Sequence, residues 1–292
     1  MFDQAPVLVI GASGRAGRAV VSELRRLGRP VRALARRSAS PPFAPDVETV
    51  IGDLTDPDSL TPALAGIDAA FLVWATGPAT VPAVVARLAR SVRRVVLLSS
   101  PHQTLHPFFR QPNPMADLHA SIERELAASQ IESVVLRPGM FAANTLAWWA
   151  PQIRAGAAVR WPYGGVETAP IDERDIAAVA ARALFDASLV GGDYVLTGPA
   201  PLSHTRQVDV IGEVLGRRLT FHELSPAEFR RETTGSWPPS VVEMLLNAWG
   251  ATVGHPAYVT TTVADITGTP ARSFHDWVVS QVDSFRTTTD SR

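Results

Sequence analysis

The stretch "LVIGASGRAGRAV", residues 8–20, indicates the fold class. An apolar run ends at Gly11, and Gly14 and Gly17 complete a GxxGxxG spacing just before a pattern typical of a helix. In such a strand-to-helix turn the first glycine permits unusual backbone angles, the second lets a pyrophosphate approach, and the third allows close packing. The free N–H groups at the start of the helix then favour the anion. The stretch therefore predicts a dinucleotide-binding turn, with contacts from Gly11, Ser13, Gly14, Arg15, Ala16 and Gly17.

The first half of the chain alternates short apolar runs with helical patterns. Strands that read as continuous apolar runs are typical of a parallel sheet buried on both faces. Repeated strand–helix alternation predicts an α/β fold, a Rossmann-type doubly wound parallel sheet. The predicted strands are Val7–Ile10, Val31–Ala35, Glu48–Ile51, Ala69–Val73, Arg94–Leu98 and Ser133–Leu136. The predicted helices are Arg15–Leu27, Ser59–Ala65, Val81–Arg90 and Met115–Ser129.

The composition of the chain changes after the sixth predicted strand, where aromatic residues, glycine and proline become frequent. Residues 1–139 are predicted to form the cofactor domain, completed by roughly 168–198, which carry a further helix and the strand "DYVLTG". Residues 140–167 and 199–286 are predicted to form a small substrate-binding cap, and 287–292 a disordered tail. Within the cap, helices are predicted at Thr205–Leu215, Pro226–Thr233, Pro239–Ala248 and Arg272–Phe285.

Composition excludes several classes of function. The net charge of −1 leaves no basic excess for nucleic acid or an anionic membrane, and the absence of cysteine excludes thiolate chemistry and disulfides. The scattered histidines lack metal-ligand spacing, so no metal site is predicted. The N-terminus does not read as a signal peptide, and no apolar run is long enough to span a bilayer. These features predict a soluble, cytoplasmic protein.

The end of the second predicted strand indicates which dinucleotide binds. An acidic residue there would bind the ribose hydroxyl of NAD, whereas arginine accommodates the phosphate of NADP. The chain has Arg36 and Arg37 at this place, and Arg15 in the glycine turn can face the same phosphate. NADP is therefore the predicted cofactor, with Asp53 and Leu54 flanking its adenine.

Seven motifs along the chain are informative together: "GASGRAGR", "VRALARR", "GDLTD", "VVLLSS", "LRPGMFAAN", "IDERDIAAVA" and "YVLTGPAPLS". In these motifs the chain resembles the NmrA-like branch of the atypical short-chain dehydrogenases/reductases. The resemblance implies an NAD(P)-binding Rossmann domain with a small C-terminal substrate region, and a function among quinone reductases, ketone or imine reductases and non-catalytic redox sensors. It implies that three residues after the fourth strand, two after the fifth and four after the sixth lie beside the cofactor: Ala75, Thr76, Gly77, Ser99, Ser100, Pro138, Gly139, Met140 and Phe141.

The chain departs from the wider superfamily at the proton donor. The superfamily places a Tyr-x-x-x-Lys pair on the helix after the fifth strand, and this chain contains no lysine. Its polar pair at that spacing is His119 and Glu123, in which Glu123 could orient the imidazole and raise its pKa. His119 is thus a candidate general acid, although the pair could equally be a surface helix pair. Ser100, His102, Tyr163 and water are rival proton sources.

Aromatic residues crowd the segment that would cover the nicotinamide. Trp148, Trp149, Trp161 and Tyr163 are candidates for stacking on a flat hydrophobic substrate, although at least one tryptophan should serve only the cap core. The predicted function is an NADPH-dependent reductase of a carbonyl or quinone. A cofactor-binding redox sensor is the alternative, and a sugar-nucleotide epimerase or dehydratase ranks last because those enzymes also rely on Tyr–Lys.

Overall fold

The computed structural model describes residues 5–36 and 42–286. Short 3₁₀ turns at Pro57–Leu60, Pro78–Thr80 and Ala187–Leu189 accompany the main elements. The strands are β1 (Val7–Ile10), β2 (Val31–Ala35), β3 (Glu48–Ile51), β4 (Ala69–Val73), β5 (Arg94–Leu98), β6 (Glu132–Pro138), β7 (Ala158–Pro162), β8 (Glu167–Thr168), β9 (Asp193–Leu196), β10 (Leu202–Ser203) and β11 (Thr220–Leu224). The helices are α1 (Arg15–Arg26), α2 (Thr61–Leu64), α3 (Val81–Ser91), α4 (Pro114–Ala128), α5 (Asn144–Trp148), α6 (Ala150–Ala155), α7 (Glu173–Phe185), α8 (His204–Leu215), α9 (Pro226–Thr233), α10 (Pro239–Ala251), α11 (Thr262–Thr267), α12 (Phe274–Ser280) and α13 (Val282–Phe285).

A parallel sheet forms the centre of the first domain. Its strand order among the described residues is β3-β2-β1-β4-β5-β6-β9, and every neighbouring pair is parallel. The central strands are buried on both faces because α1 and α7 cover one face while α3 and α4 cover the other. The predicted doubly wound Rossmann-type fold is confirmed. The order reverses between β1 and β4, which is where such sheets bind ligands.

The cap has a hydrophobic core of its own. Its buried residues come mainly from α6, α8, α9, α10, α12 and α13 and from the parallel pair β7–β11, and the partly buried Leu146 and Trp148 of α5 pack against them. Trp149 and Trp249 are among its largest fully buried side chains. The cap therefore rests on aromatic packing between segments that lie far apart in the chain.

Apart from shifts of one to three residues at the ends of elements, two predicted helices and one assignment to the cap differ from the structure. The predicted helix Ser59–Ala65 is a 3₁₀ turn followed by the short α2. The predicted helix Arg272–Phe285 begins at Phe274, where Ser273 forms a capping box, and it is interrupted at Gln281. Helix α11, assigned to the cap from its place in the sequence, instead packs with Val263 in the core beside α7 and the sheet.

Candidate active site

In the turn after β1, the surrounding protein atoms leave no room for a side chain at two of the glycines. Gly11 has φ 78°, and a Cβ there would lie 2.8 Å from the Cβ of Val73 on the neighbouring strand. A Cβ on Gly17 would lie 2.8 Å from the Cα of Ala12 and closer still to the carbonyl oxygen of Gly11. Any larger residue at either position would force the helix away from the turn.

Gly14 is different, because the surrounding protein leaves room for a side chain. A Cβ there would meet only the carbonyl oxygen of Gly11, at an ordinary 3.4 Å. Gly14 is also the N-cap of α1, where no side chain caps the helix and no acidic residue occupies the first turn. An uncapped helix start with a bare backbone beside it fits a pyrophosphate, and the neighbouring Ser13 and Arg15 are exposed.

The predicted phosphate and adenine residues lie at the ends of β2 and β3. Arg36 is exposed after β2, and Arg37 falls outside the described residues. The Asp53 carboxylate accepts a 2.8 Å hydrogen bond from the Thr55 amide, which, with a smaller contribution from Arg36, lowers the pKa of Asp53. Leu54 is buried in the core beneath, so its side chain contributes packing in this conformation.

A cleft of about 220 Å³ opens at the carboxyl edge of the sheet. Ala75 and Gly77 are exposed on the same edge after β4, and Thr76 is half-buried between them. Pro138, Gly139 and Met140, which were predicted to lie beside the nicotinamide, line the cleft, whereas Phe141 does not line it and forms a backbone β-bridge with Ile171. The other lining residues come from the loop after β5, from α4 and α5 and from α10, and are Ser100, Pro101, His102, Phe108, Phe109, Gln111, Pro112, Asn113, Ala116, Asn144, Trp148, Met244, Leu245 and Ala248.

Ser100 and His119 are in direct contact at this cleft. The Ser100 Oγ lies 2.9 Å from Nδ1 of His119, which projects from α4, and 3.3 Å from Nδ1 of His102. Burial, with smaller contributions from His102 and Arg137 and against the opposing charge of Glu123, lowers the pKa of His119 to about 4. His119 is therefore neutral at pH 7. Glu123 raises the pKa of His119, as expected, but burial outweighs that contribution.

Glu123 does not hydrogen-bond His119. Both of its carboxylate oxygens bind the guanidinium of Arg137 on β6, each at 2.9 Å, and it also accepts a short hydrogen bond from Ser99. Ser99 thus turns into this buried network and does not line the cleft, although the sequence placed it beside the nicotinamide. The predicted His119–Glu123 pair is corrected to a Glu123–Arg137 pair behind the site.

The aromatic residues of the cap divide between cleft and core. Trp148 lines the cleft and stacks on Trp161, with ring centroids 5.5 Å apart. Trp149 and Trp161 are 0% and 2% exposed and belong to the cap core, so they cannot stack on a substrate in this conformation. Tyr163, which has the positive φ of 55°, packs against the same core and does not line the cleft.

Sequence reasoning missed several residues of the site. Arg137 and Asn144 both lie in the quoted motif "LRPGMFAAN", where an arginine inside an apolar strand and an amide at a helix start were available signals. Phe108 and Phe109 sit in the Pro-rich loop after β5, and Met244 is on α10 of the cap. Their approach to the cleft depends on tertiary packing and had no local signal.

No cluster of three or more His, Asp or Glu side chains that could hold a metal ion occurs in residues 5–36 and 42–286. Over the same part of the chain, no helix combines the length and apolar character needed to cross a bilayer.

The parallel sheet, the bare glycine turn and the cleft at the carboxyl edge define an NAD(P)-binding protein of the Rossmann class. Residues 11–187 match the family model described as NAD(P)H-binding, and the chain belongs to that family. The resemblance to NmrA-like atypical short-chain dehydrogenases/reductases is confirmed by this match and by its relatives.

Similar proteins extend over nearly the whole chain. A (4-alkanoyl-5-oxo-2,5-dihydrofuran-3-yl)methyl phosphate reductase of Streptomyces griseus is 36% identical over 96% of this chain and 99% of its own length. An NAD(P)H azoreductase of Xenophilus azovorans is 28% identical over 96% and 99% of the two chains. The NADPH-dependent quinone oxidoreductase QOR2 of Escherichia coli superposes with a TM-score of 0.78, at 25% identity and with 95% and 99% of the chains covered. The predicted class, an NAD(P)H-dependent oxidoreductase, is confirmed.

Proposed function

We propose that this protein is an NADPH-dependent reductase of a carbonyl or quinone group in a hydrophobic substrate. The observation that carries the proposal is the Ser100 hydroxyl, held 2.9 Å from His119 Nδ1, at an apolar cleft beside Pro138–Met140. A hydroxyl there can give a proton to an oxygen that gains charge during reduction. The reductases among its relatives support the same reaction class.

The residues around the glycine turn fit NADPH. The uncapped start of α1 suits the pyrophosphate, while the exposed Arg15 and Arg36 lie at the two places from which a ribose phosphate is bound. The bound cofactor supplies a hydride to the substrate. Pro138, Gly139 and Met140 form the wall that orients the reacting partners, since hydride transfer depends above all on their alignment.

Ser100 is the proposed proton donor in place of the missing tyrosine. Because His119 is neutral, its Nδ1–H can donate to the Ser100 oxygen and leave the hydroxyl proton free to point into the cleft. This arrangement gives His119 a positioning role, and it makes Ser100 the group that contacts the substrate oxygen.

The lining of the cleft favours a flat, apolar substrate. Phe108, Phe109 and Trp148 present aromatic surface, and Met140 and Met244 are flexible side chains that adapt to irregular shapes. Gln111 and Asn144 add amide groups that can fix the orientation of a polar substituent.

NADPH oxidation should be followed with quinones, aromatic ketones and an alkanoyl-furanone phosphate of the kind named for the Streptomyces relative. Turnover of any of these that is lost in Ser100→Ala supports the proposal. Tight NADPH binding without turnover of any of them would contradict it and favour the redox sensor.

A further inference from the structure

The two imidazoles that contact Ser100 have different surroundings. His119 lies on the apolar side of α4 and is 8% exposed. His102 lies on the other side of the hydroxyl, with Nδ1 3.3 Å from the Ser100 Oγ and 3.1 Å from the Ser100 carbonyl oxygen. The carbonyl only accepts, and its 3.1 Å contact is shorter than the 3.5 Å contact between Nδ1 and the donating Nη1 of Arg137, so we assign a proton to Nδ1 of His102. His102 can therefore hold a proton within reach of the Ser100 hydroxyl.

The far side of the His102 ring faces a carboxylate. Its Nε2 is buried, has no hydrogen-bond partner and lies 3.8 Å from Oε2 of Glu123. Gln103 also donates to that oxygen at 3.4 Å. A buried ring nitrogen without a partner is costly, and a proton on Nε2 would turn this contact into a charge-assisted bond after a small movement.

The charges of the network favour a proton on His102. Glu123 and Asp193 are both bound to the one guanidinium of Arg137, which lies 2.9 Å from the first and 3.3 Å from the second. Two carboxylates and one guanidinium leave one negative charge in excess. The charged and titratable groups that face His102 are Glu123 and the neutral His119 from α4 and Arg137 from β6, whose Nη1 is 3.5 Å from Nδ1.

We propose that His102 is the proton reservoir of the site, charged by Glu123, and that it restores the proton of Ser100 in every turnover. This inference rests on the proposed reductase function. The hydride leaves the cofactor, which is oxidised, and joins the carbonyl carbon, while the Ser100 proton joins the carbonyl oxygen. The Nδ1 proton of His102 then moves to the Ser100 oxygen. Solvent returns one proton to His102 after the product leaves the cleft that this histidine lines.

Arg137 and Glu123 act as positioning residues in this scheme. Nη1 of Arg137 donates to the Ser100 carbonyl oxygen at 3.0 Å, which holds the backbone that carries the hydroxyl. Behind them a cavity of about 500 Å³, lined by Gln103, Glu123, Arg137 and Asp193, keeps the outer side of the carboxylate in contact with solvent. Removal of the Glu123 charge should therefore change the pH dependence of turnover as well as its rate.

The experiment compares His102→Gln with His222→Gln, which changes an exposed histidine on β11. We expect His102→Gln to lower kcat by about 10²-fold, with the Kd for NADPH and the KM changed by less than about threefold. The solvent isotope effect on kcat should rise, and imidazole should restore turnover to His102→Ala. His222→Gln should behave as the native protein.

Glu123→Gln alone leaves the buried Arg137 with only the exposed Asp193 as an ion-pair partner, so Glu123→Gln/Arg137→Met is the second test. The double variant should bind NADPH normally and have a lower kcat. As pH rises, its turnover should begin to decline at a lower pH than that of the native protein. Native kcat, isotope effect and pH profile in both His102→Gln and the double variant would overturn the reservoir while leaving the reductase intact. A native protein that reduces no carbonyl or quinone overturns both proposals.

Discussion

Glu123 binds Arg137 through both carboxylate oxygens at 2.9 Å, although it lies one helical turn from His119. The pair is almost fully enclosed, since the side chains are 11% and 4% exposed. A carboxylate that is ionised and bound to a guanidinium stabilises the network behind the cleft. Ser100, in front of this network, is in contact with two imidazoles, those of His102 and His119, and the chain contains no lysine.

His119→Phe tests whether the hydrogen bond from His119 orients the Ser100 hydroxyl. The change keeps the ring and removes the 2.9 Å hydrogen bond to Ser100. We expect kcat to fall by ~10²-fold, near the lower end of general-acid effects, because the hydroxyl loses its orientation. NADPH affinity measured by fluorescence titration should stay the same. Full turnover in this variant would rule out a role for His119 in catalysis.

Arg36→Ala tests the choice of cofactor. A charge-assisted hydrogen bond contributes about 1.5–3 kcal/mol, so the Kd for NADPH should rise roughly tenfold to a hundredfold while the Kd for NADH hardly changes. Arg90→Ala, an exposed change in the last turn of α3, is the matched control. Equal native affinities for the two cofactors would contradict the prediction.

Gly14→Ala and Gly17→Ala should separate binding from folding. A methyl at Gly14 meets only one atom at 3.4 Å, so the protein should fold normally and bind NADPH at least about tenfold more weakly. A methyl at Gly17 collides with the turn itself and should lower the free energy of unfolding by roughly 1–3 kcal/mol. Urea denaturation and NADPH titration measure the two effects. Equal losses of stability in both variants would contradict this separation of binding from folding.

The Glu123–Arg137 pair should show strong coupling in stability. Arg137→Met leaves a buried carboxylate without its ion-pair partner and should cost about 3–5 kcal/mol in the free energy of unfolding. Adding Glu123→Gln removes that unpaired charge, so the double variant should be more stable than Arg137→Met. Asp117→Asn, an exposed change on the same helix, should alter stability little. Additive losses in a double-mutant cycle would show that the two residues act independently.

Acid should destabilise the protein through two buried histidines. Burial lowers the pKa of His119 and of His204 to about 4, whereas an unfolded histidine titrates near 6.5. As pH falls from about 6.5 to about 4, these two imidazoles therefore bind protons in the unfolded chain but stay neutral in the folded protein. Each histidine should lower the free energy of unfolding by on the order of 2–3 kcal/mol across that window.

His204→Phe isolates one of these contributions. The variant should lose part of the slope of stability against pH between about 6.5 and 4, while the exposed change His222→Gln should keep nearly all of it. Urea unfolding measured at several pH values checks this. An unchanged slope in His204→Phe would mean that His204 takes up its proton without unfolding.

Local sequence patterns were sufficient to predict most of the strands of the sheet domain. Five of the six predicted strands have the observed bounds, and only β6 extends further, to Glu132–Pro138. The cap was predicted less well, because the parallel pair β7–β11 joins segments about sixty residues apart and each strand is short. Pairing over such a distance depends on how the helices between the strands pack.

The sequence by itself determined the glycine turn, the parallel sheet and the absence of a Tyr–Lys pair. These features depend on residues close together in the chain or on residue inventory. Tertiary structure alone decided that Glu123 pairs with Arg137, that Ser99 turns away from the cleft and that Trp149 is buried in the cap core. The physical reason is that a side chain's partner and burial depend on which distant elements pack against it, and its neighbours in the sequence do not encode that choice.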